Sequence, residues 1–283
     1  MNALLLVAII LGLTAQNVTK KAYNQKTDNR GTYTFTALTT FAATLFFVAS
    51  AGGKLSLDPA LLPWSAGFAV AYALSTVFSF LAISCGSLAL TSLVLSYSLV
   101  LPTIFGILFL DEPVSPWLFA GIALLLISLL LINFKPGQIK ITLRWGIFAL
   151  ISFVGNGFCT IVQKLQQNQF DGGYKSEFMI LALIMVCISM VILALIQEKD
   201  TLSVCLKKGS VFGLVCGASN GLVNLLVMIL TARMAVSVMF PMISAGGILA
   251  TAAVSLLFYK ESLSKNQIIG VVLGIGAIVL LSI

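Results

Sequence analysis

FLDEPVSPWLFAG, from Phe109 to Gly121, interrupts a long apolar run with two adjacent acids, two prolines and a serine. FYKESLSKNQIIG, from Phe258 to Gly270, interrupts another run near the far end of the chain and also closes on a glycine. A shift of 149 residues lays Phe109 on Phe258, Glu112 on Glu261, Ser115 on Ser264 and Gly121 on Gly270. An interruption that returns in register marks an internal duplication.

Two further registers follow the same order along the chain. A shift of 146 lays Gly67 on Gly213, Val77 on Val223, Ile83 on Ile229 and Ala89 on Ala235; a shift of 143 lays Lys21 on Lys164, Asp28 on Asp171 and Phe35 on Phe178. Apolar helices match one another by chance, so no single register decides the matter. Three registers separated by small gaps, each aligning a loop or helix end, do. The chain reads as two halves, residues 1–135 and 141–283, joined near Asn133 to Thr142.

The 283 residues are 59% hydrophobic and 9% charged, with no histidine and a mean hydropathy of +1.09. Soluble domains carry charge on about a quarter of their residues, whereas about 20 apolar residues in a helix cross a hydrocarbon core of about 30 Å. Ten runs read as spans: 3–19, 32–51, 63–84, 87–109, 115–133, 143–164, 176–196, 209–231, 234–258 and 266–283. Lipid offers no water to backbone groups, so these spans must be helices; barrel strands would be half as long and would alternate polar with apolar. No Lys or Arg precedes the first run, so it reads as a retained helix rather than a signal peptide. The expected fold is an all-α polytopic membrane protein of ten transmembrane helices. Five helices per half is an odd number, so the second half enters the membrane from the opposite side and the repeats are inverted.

Ten spans, two halves and the pair LFLDEPVSPWLFAG and LFYKESLSKNQIIG make the chain resemble the EamA-like branch of the drug/metabolite transporter superfamily. The resemblance covers the whole chain. It implies small-molecule transport through a central cavity formed by the first, third and fourth helices of each half, which places spans 1, 3, 4, 6, 8 and 9 around the path. Members of the family move amino acids, other metabolites, nucleotide sugars or drugs, usually outward.

Connectors on one side of the membrane hold twelve basic residues: Lys20, Lys21, Lys26, Arg30, Lys135, Lys140, Arg144, Lys199, Lys207, Lys208, Lys260 and Lys265. The opposite connectors hold four, Lys54, Lys164, Lys175 and Arg233. Excess Lys and Arg marks the cytoplasmic side, so a cell-membrane location with both termini extracytoplasmic is expected. Many members of the family carry both termini inside, but this chain has no basic tails and its own loops argue otherwise.

A charge at the centre of a span costs about 2.5–3.5 kcal/mol on insertion scales, and no Asp, Glu, Lys or Arg sits in mid-span. Lys164 and Arg233 lie at span ends, where long side chains snorkel to headgroups or meet an anionic group of a substrate. The candidates for lining a path are therefore neutral. Span 1 carries Thr14, Gln16 and Asn17; span 3 carries Tyr72, Ser75, Thr76 and Ser79 on one helical face; span 4 carries Ser92, Ser96 and Tyr97. Span 6 carries Asn156, Thr160 and Gln163, and span 8 carries Asn220 and Asn224. The competing reading is structural: such groups bond across helices, or Ser and Thr bond their own preceding turn. The amides discriminate best, because an amide in hydrocarbon needs a partner or a wet cavity.

Gly209, Gly213, Gly217 and Gly221 recur every four residues, a small-residue ridge against which another helix packs closely. Pro102 and Pro241 each remove a helical hydrogen bond and are expected to kink their helices. The connector Glu198 to Gly209 reads either as a short interfacial helix or as a plain loop. Glu112 and Glu261 read as structural punctuation with Gly121 and Gly270. Each acid ends the fourth helix of its half and favours the positive N-terminus of the fifth.

Together these features point to a secondary transporter, an exporter or exchanger of small metabolites such as amino acids or related polar compounds. It would work by alternating access around a neutral polar cavity. Small-multidrug-type efflux is the alternative within transport, and a multipass enzyme or sensor the alternative outside it. An enzyme would need a nucleophile and base or a metal cluster, and the only adjacent acids are Asp111 and Glu112. No cofactor, metal site or catalytic residue is implied. The net charge of +7 is spread over connectors without a basic stripe, which argues against nucleic acid. Five cysteines without CxxC spacing suggest neither a disulfide framework nor zinc. The expected partners are a small-molecule substrate and the lipid bilayer, and a homodimer is compatible with the sequence.

Overall fold

The computed structural model describes residues 2–28, 30–53, 55–56, 58–85, 88–112, 114–133, 142–258 and 264–281. Glu261 lies outside them. Among the described residues the regular elements are all helical: α1 (Asn2–Lys26), α2 (Thr32–Ser50), a 3-10 turn (Pro59–Leu61), α3 (Leu62–Cys85), α4 (Leu88–Tyr97) and α5 (Val100–Phe109). There follow α6 (Pro116–Asn133), α7 (Leu143–Gln169), α8 (Lys175–Gln197), α9 (Leu202–Thr231), α10 (Val236–Phe258) and α11 (Lys265–Leu281). Six helices are long and apolar enough to cross a membrane, and four shorter apolar stretches, Val94–Phe109, Pro116–Ile132, Val236–Gly247 and Lys265–Leu281, bring the set to the ten expected.

The boundaries depart from the sequence reading in four places, one of them α7, which runs five residues past Lys164 to Gln169. α1 runs seven residues past Thr19 to Lys26, because no Gly or Pro stops it and Lys20 and Lys26 are exposed. The connector Glu198 to Gly209 is neither a loop nor a separate interfacial helix: from Leu202 onward it is the start of the 30-residue α9. The fourth span is two helices rather than one. Pro102 has no N–H to offer the carbonyl of Ser98, and that oxygen instead accepts from the Leu101 N–H at 3.0 Å, a tighter turn that parts α4 from α5 at Ser98–Leu99. Pro241, by contrast, sits inside an unbroken α10.

Helix ends recur at the sequence registers. α1 and α7 end 143 residues apart, at Lys26 and Gln169, and α2 and α8 begin 143 residues apart, at Thr32 and Lys175. Between them the left-handed residues also correspond: Asp28 (φ 52°) with Asp171 (φ 48°), and Gly31 (φ 78°) with Tyr174 (φ 54°). Asp is among the few residues that visit this region readily, and Asp111 (φ 48°) does the same after α5.

The described chain divides into two compact units that cut across the sequence halves. The first contains residues 1–73 and 165–232, and thus α1, α2, the start of α3, the end of α7, α8 and α9. Its packing centres on the glycine ridge of α9. A Cβ on Gly213 would lie 2.8 Å from Leu38 Cβ, one on Gly217 would strike the carbonyl oxygen of Thr39, and one on Gly221 would lie 2.6 Å from the Phe46 ring, so α2 runs parallel to the ridge in near-backbone contact. Gly209 takes the ring of Tyr23 from α1, which runs antiparallel to α9. The Tyr23 hydroxyl in turn donates to Gly31 O at 2.8 Å, tying the α1–α2 turn to the same place.

The second unit contains residues 74–164 and 233–283. Here α6 and α11 pack antiparallel through the two glycines of the repeated motif. A Cβ on Gly121 would lie 2.8 Å from Leu281 Cγ and 3.4 Å from Ala277 O; one on Gly270 would lie 2.6 Å from Ile132 Cγ1 and 3.0 Å from Ser128 O. Each contact is the image of the other under the 149-residue register, which makes the pairing self-complementary. Ser128 Oγ seals it with a 2.6 Å bond to Gly270 O.

Candidate functional site

In the first unit the helical spacing of Asn220 and Asn224 places both amides on the face of α9 that meets α1. Gly12 allows that approach, its Cα side lying against Val223, and Ser219 Oγ donates to Gly12 O at 3.0 Å. One turn further along α1, Gln16 meets Asn220. The amides form a directional chain: Asn224 Nδ2 donates to Asn220 Oδ1 at 3.1 Å, and Asn220 Nδ2 donates to Gln16 Oε1 at 3.2 Å. The chain ends on Gln16 Nε2, a buried donor with no acceptor among the described residues. An amide nitrogen carries two protons, and an unmet buried donor costs about 1–3 kcal/mol. The arrangement presents hydrogen-bond donors to a carbonyl or carboxylate and offers no net charge. Asn17, next to Gln16, is exposed, and Thr14 is spent on its own turn, donating to Ile10 O at 2.8 Å.

In the second unit Asn156 donates from Nδ2 to Ser98 Oγ at 2.6 Å, reaching the break between α4 and α5. Gly157 makes the approach close, since a Cβ there would lie 2.5 Å from Leu101 and 3.0 Å from Ser98 O. Ser98 escaped the sequence reading, although its position four residues before Pro102 marks the carbonyl that proline would release. Nearby, Ser152 Oγ donates to Ser75 O at 2.7 Å and Trp145 Nε1 to Thr91 Oγ1 at 3.0 Å, both holding α7 in the unit.

The other candidates lie as follows. Ser79 bonds Thr76 O at 2.9 Å and Thr160 bonds Gly157 O at 2.7 Å, each within its own helix. The Tyr97 hydroxyl donates to Leu126 O at 2.8 Å and fastens α4 to α6. Tyr72 stacks on Phe68 with ring centroids 5.9 Å apart, Ser96 is half-buried, and Gln163 is buried at 3% exposure. Ser92 lies among the side chains not described.

Glu112 is a helix cap, but not of the neighbouring helix. Glu112 was expected to favour the start of the next helix, α6; its carboxylate instead accepts from Val236 N and Ser237 N, both at 2.9 Å, and so caps α10. Lys164 Nζ stands 4.0 Å from the same carboxylate with only 13% of its side chain exposed, which replaces the expectation of a lysine snorkelling to lipid headgroups. Gly106 leaves the room: a Cβ there would lie 2.5 Å from Glu112 Oε2. Arg233 is exposed.

Glu198, which the sequence reading passed over, does the same in the first unit. α2 has glycine at its N-cap and no side-chain cap of its own, and Glu198 accepts from Tyr33 N at 2.9 Å, Thr34 N at 2.8 Å and Thr34 Oγ1 at 2.8 Å. Glu198→Gln keeps one acceptor and faces an amide NH₂ toward these donors. It is expected to destabilise the protein by about 1–3 kcal/mol, read as a lower melting temperature in detergent. An unchanged melting temperature would show that the cap contributes nothing.

Ten apolar helical stretches among the described residues define a multi-pass α-helical membrane protein. Residues 143–283 match the model of the EamA-like transporter family. The chain is thus a transporter of the drug/metabolite transporter superfamily, with the EamA-like domain in its second half. A solved crystal structure with 15% sequence identity shares the fold at a TM-score of 0.74, over 99% of this chain and 95% of that one. No curated protein matches the sequence.

Proposed function

We propose that the protein is a secondary transporter, an exporter or exchanger of small polar metabolites such as amino acids, residing in the plasma membrane with both termini extracytoplasmic. The observation that carries this reading is the amide chain Asn224–Asn220–Gln16, ending on a buried donor that no described residue satisfies. A carbonyl or carboxylate of a solute completes it. Hydrogen-bond donors without a counter-ion select polar solutes over lipophilic cations, which favours metabolites over small-multidrug efflux.

Alternating access follows from inverted repeats. Support for that arrangement comes from the matching helix ends at the 143-residue register and the self-complementary pairing of α6 with α11. The odd helix number of each half supplies the inversion, and the twelve-to-four basic bias supplies the orientation. A reporter fused to the C-terminus and found in the cytoplasm would overturn the orientation.

The test is uptake of a small-metabolite panel into proteoliposomes. Asn220→Ala and Asn224→Ala are each expected to lower kcat/KM for the accepted solute by about tenfold, the value of one hydrogen bond of about 1.4 kcal/mol. Normal transport by both variants would remove the amide chain from the site. A panel in which nothing moves overturns the assignment to small polar metabolites.

A further inference from the structure

Between α2, α8 and α9, wholly within the first unit, the side chains leave an open cleft of about 280 Å³. Leu38 and Phe41 of α2, Val191 and Leu195 of α8, and Leu202 and Leu206 of α9 form its walls. Thr34 at the edge turns its hydroxyl to Glu198 at 2.8 Å, so the interior is hydrocarbon. Phe41, Leu195 and Leu206 remain 50%, 55% and 41% exposed, so the cleft opens on the surface that faces lipid. An empty cleft forfeits the dispersion contacts of its walls, and the bilayer surrounding it supplies acyl chains.

Charge at one end of the cleft narrows the choice of lipid. Leu202 and Leu206 belong to the first turns of α9, where Lys207 and Lys208 follow directly and Lys199 precedes; Lys26 and Arg30 stand at the end of α1 and just before α2. All five are exposed, against the two exposed acids Asp28 and Asp200, while the Glu198 carboxylate is turned inward to cap α2. Hydrocarbon walls ending in a net basic rim complement a molecule with an acyl chain and an anionic head.

We infer that this cleft binds an anionic phospholipid of the bilayer, with an acyl chain between Phe41, Val191 and Leu195 and the phosphate at Lys199 and Lys207. The inference rests on the membrane placement of the helices and is independent of the amide chain and its substrate.

The test is native mass spectrometry of the protein released from nanodiscs of equal phosphatidylglycerol and phosphatidylcholine. Phosphatidylglycerol is expected to be retained in excess. The Lys199→Gln, Lys207→Gln double variant should lower that retention about 25-fold, from about fivefold per lysine at a membrane surface. Val191→Phe, at a position 42% exposed, fills the cleft without entering the core and should abolish retention of lipid through the release step. Leu195→Phe, 55% exposed, provides a second filling variant should the first fail to fold. Equal retention of both lipids, or of detergent alone, overturns the proposal. So does phosphatidylglycerol retention that depends on the lysines but ignores the filling variants, which would reduce the rim to a surface attraction without a chain site.

Discussion

Glu112→Ala is expected to destabilise the protein by about 3–5 kcal/mol, the cost of breaking a buried charge arrangement by removing one side of it. The carboxylate is 8% exposed and accepts two backbone bonds of 2.9 Å at the start of α10. Its loss strands the N–H groups of Val236 and Ser237, residues 1% and 0% exposed, and takes a carboxylate away from the mostly buried Lys164 ammonium. Total stabilities run to about 5–15 kcal/mol, so the variant should express poorly and melt well below wild type in detergent. Glu112→Gln retains one oxygen for one of the two N–H groups and should fall between. Adding Lys164→Met to Glu112→Ala removes the ammonium and should recover part of the loss, a coupling that a purely steric effect would not produce. Glu112→Ala melting at the wild-type temperature would remove Glu112 from the framework of the second unit.

This prediction rests on a contact that no local pattern encodes. The sequence shows Glu112 between two apolar runs, and helix-dipole reasoning assigns it to the nearer helix start, but its partners lie 124 and 125 residues away. Glu198 was harder still, because it opens a stretch of mixed charges and its partners on α2 lie 164 and 165 residues back. Long-range caps depend on which helix ends the fold brings together, and apolar periodicity does not carry that information. What the pattern did carry was set by local chemistry. The ten spans follow from the exclusion of charge, the left-handed turns at Asp28 and Asp171 follow the 143-residue register, and the i, i+4 spacing of Asn220 and Asn224 fixes a shared face. The prolines show the boundary between the two. Each lacks the same donor, yet the helix parts at Ser98, where the Leu101 N–H takes the released carbonyl, and runs on through Pro241.

Gly217→Ala should cost about 3 kcal/mol, the upper part of the range for overpacking a closely fitted site, and Gly217→Val more. The added Cβ would meet the carbonyl oxygen of Thr39, part of the α2 backbone, and would lie 2.6 Å from Ala42 Cβ. Neither can rotate away, so α2 and α9 must separate. Gly221→Ala meets only the Phe46 side chain, at 2.6 to 2.9 Å, and Gly213→Ala meets Leu38 at 2.8 Å from Cβ and 3.1 Å from Cδ1. Side-chain rotation relieves part of the strain but leaves Phe46 Cβ at 2.9 Å and Leu38 Cβ at 2.8 Å, so Gly217→Ala should be worst and Gly213→Ala and Gly221→Ala milder in melting temperature. Ala42→Gly should rescue Gly217→Ala in part but not fully, because the Thr39 carbonyl remains. The same α9 carries Asn220 one turn beyond, at 3.2 Å from Gln16. A displaced α9 should therefore weaken transport even where the protein still folds, with solute affinity falling most in Gly217→Ala. Equal effects at Gly217 and Gly221 would show that the ridge yields as side chains do and that backbone contact does not hold α9 in place.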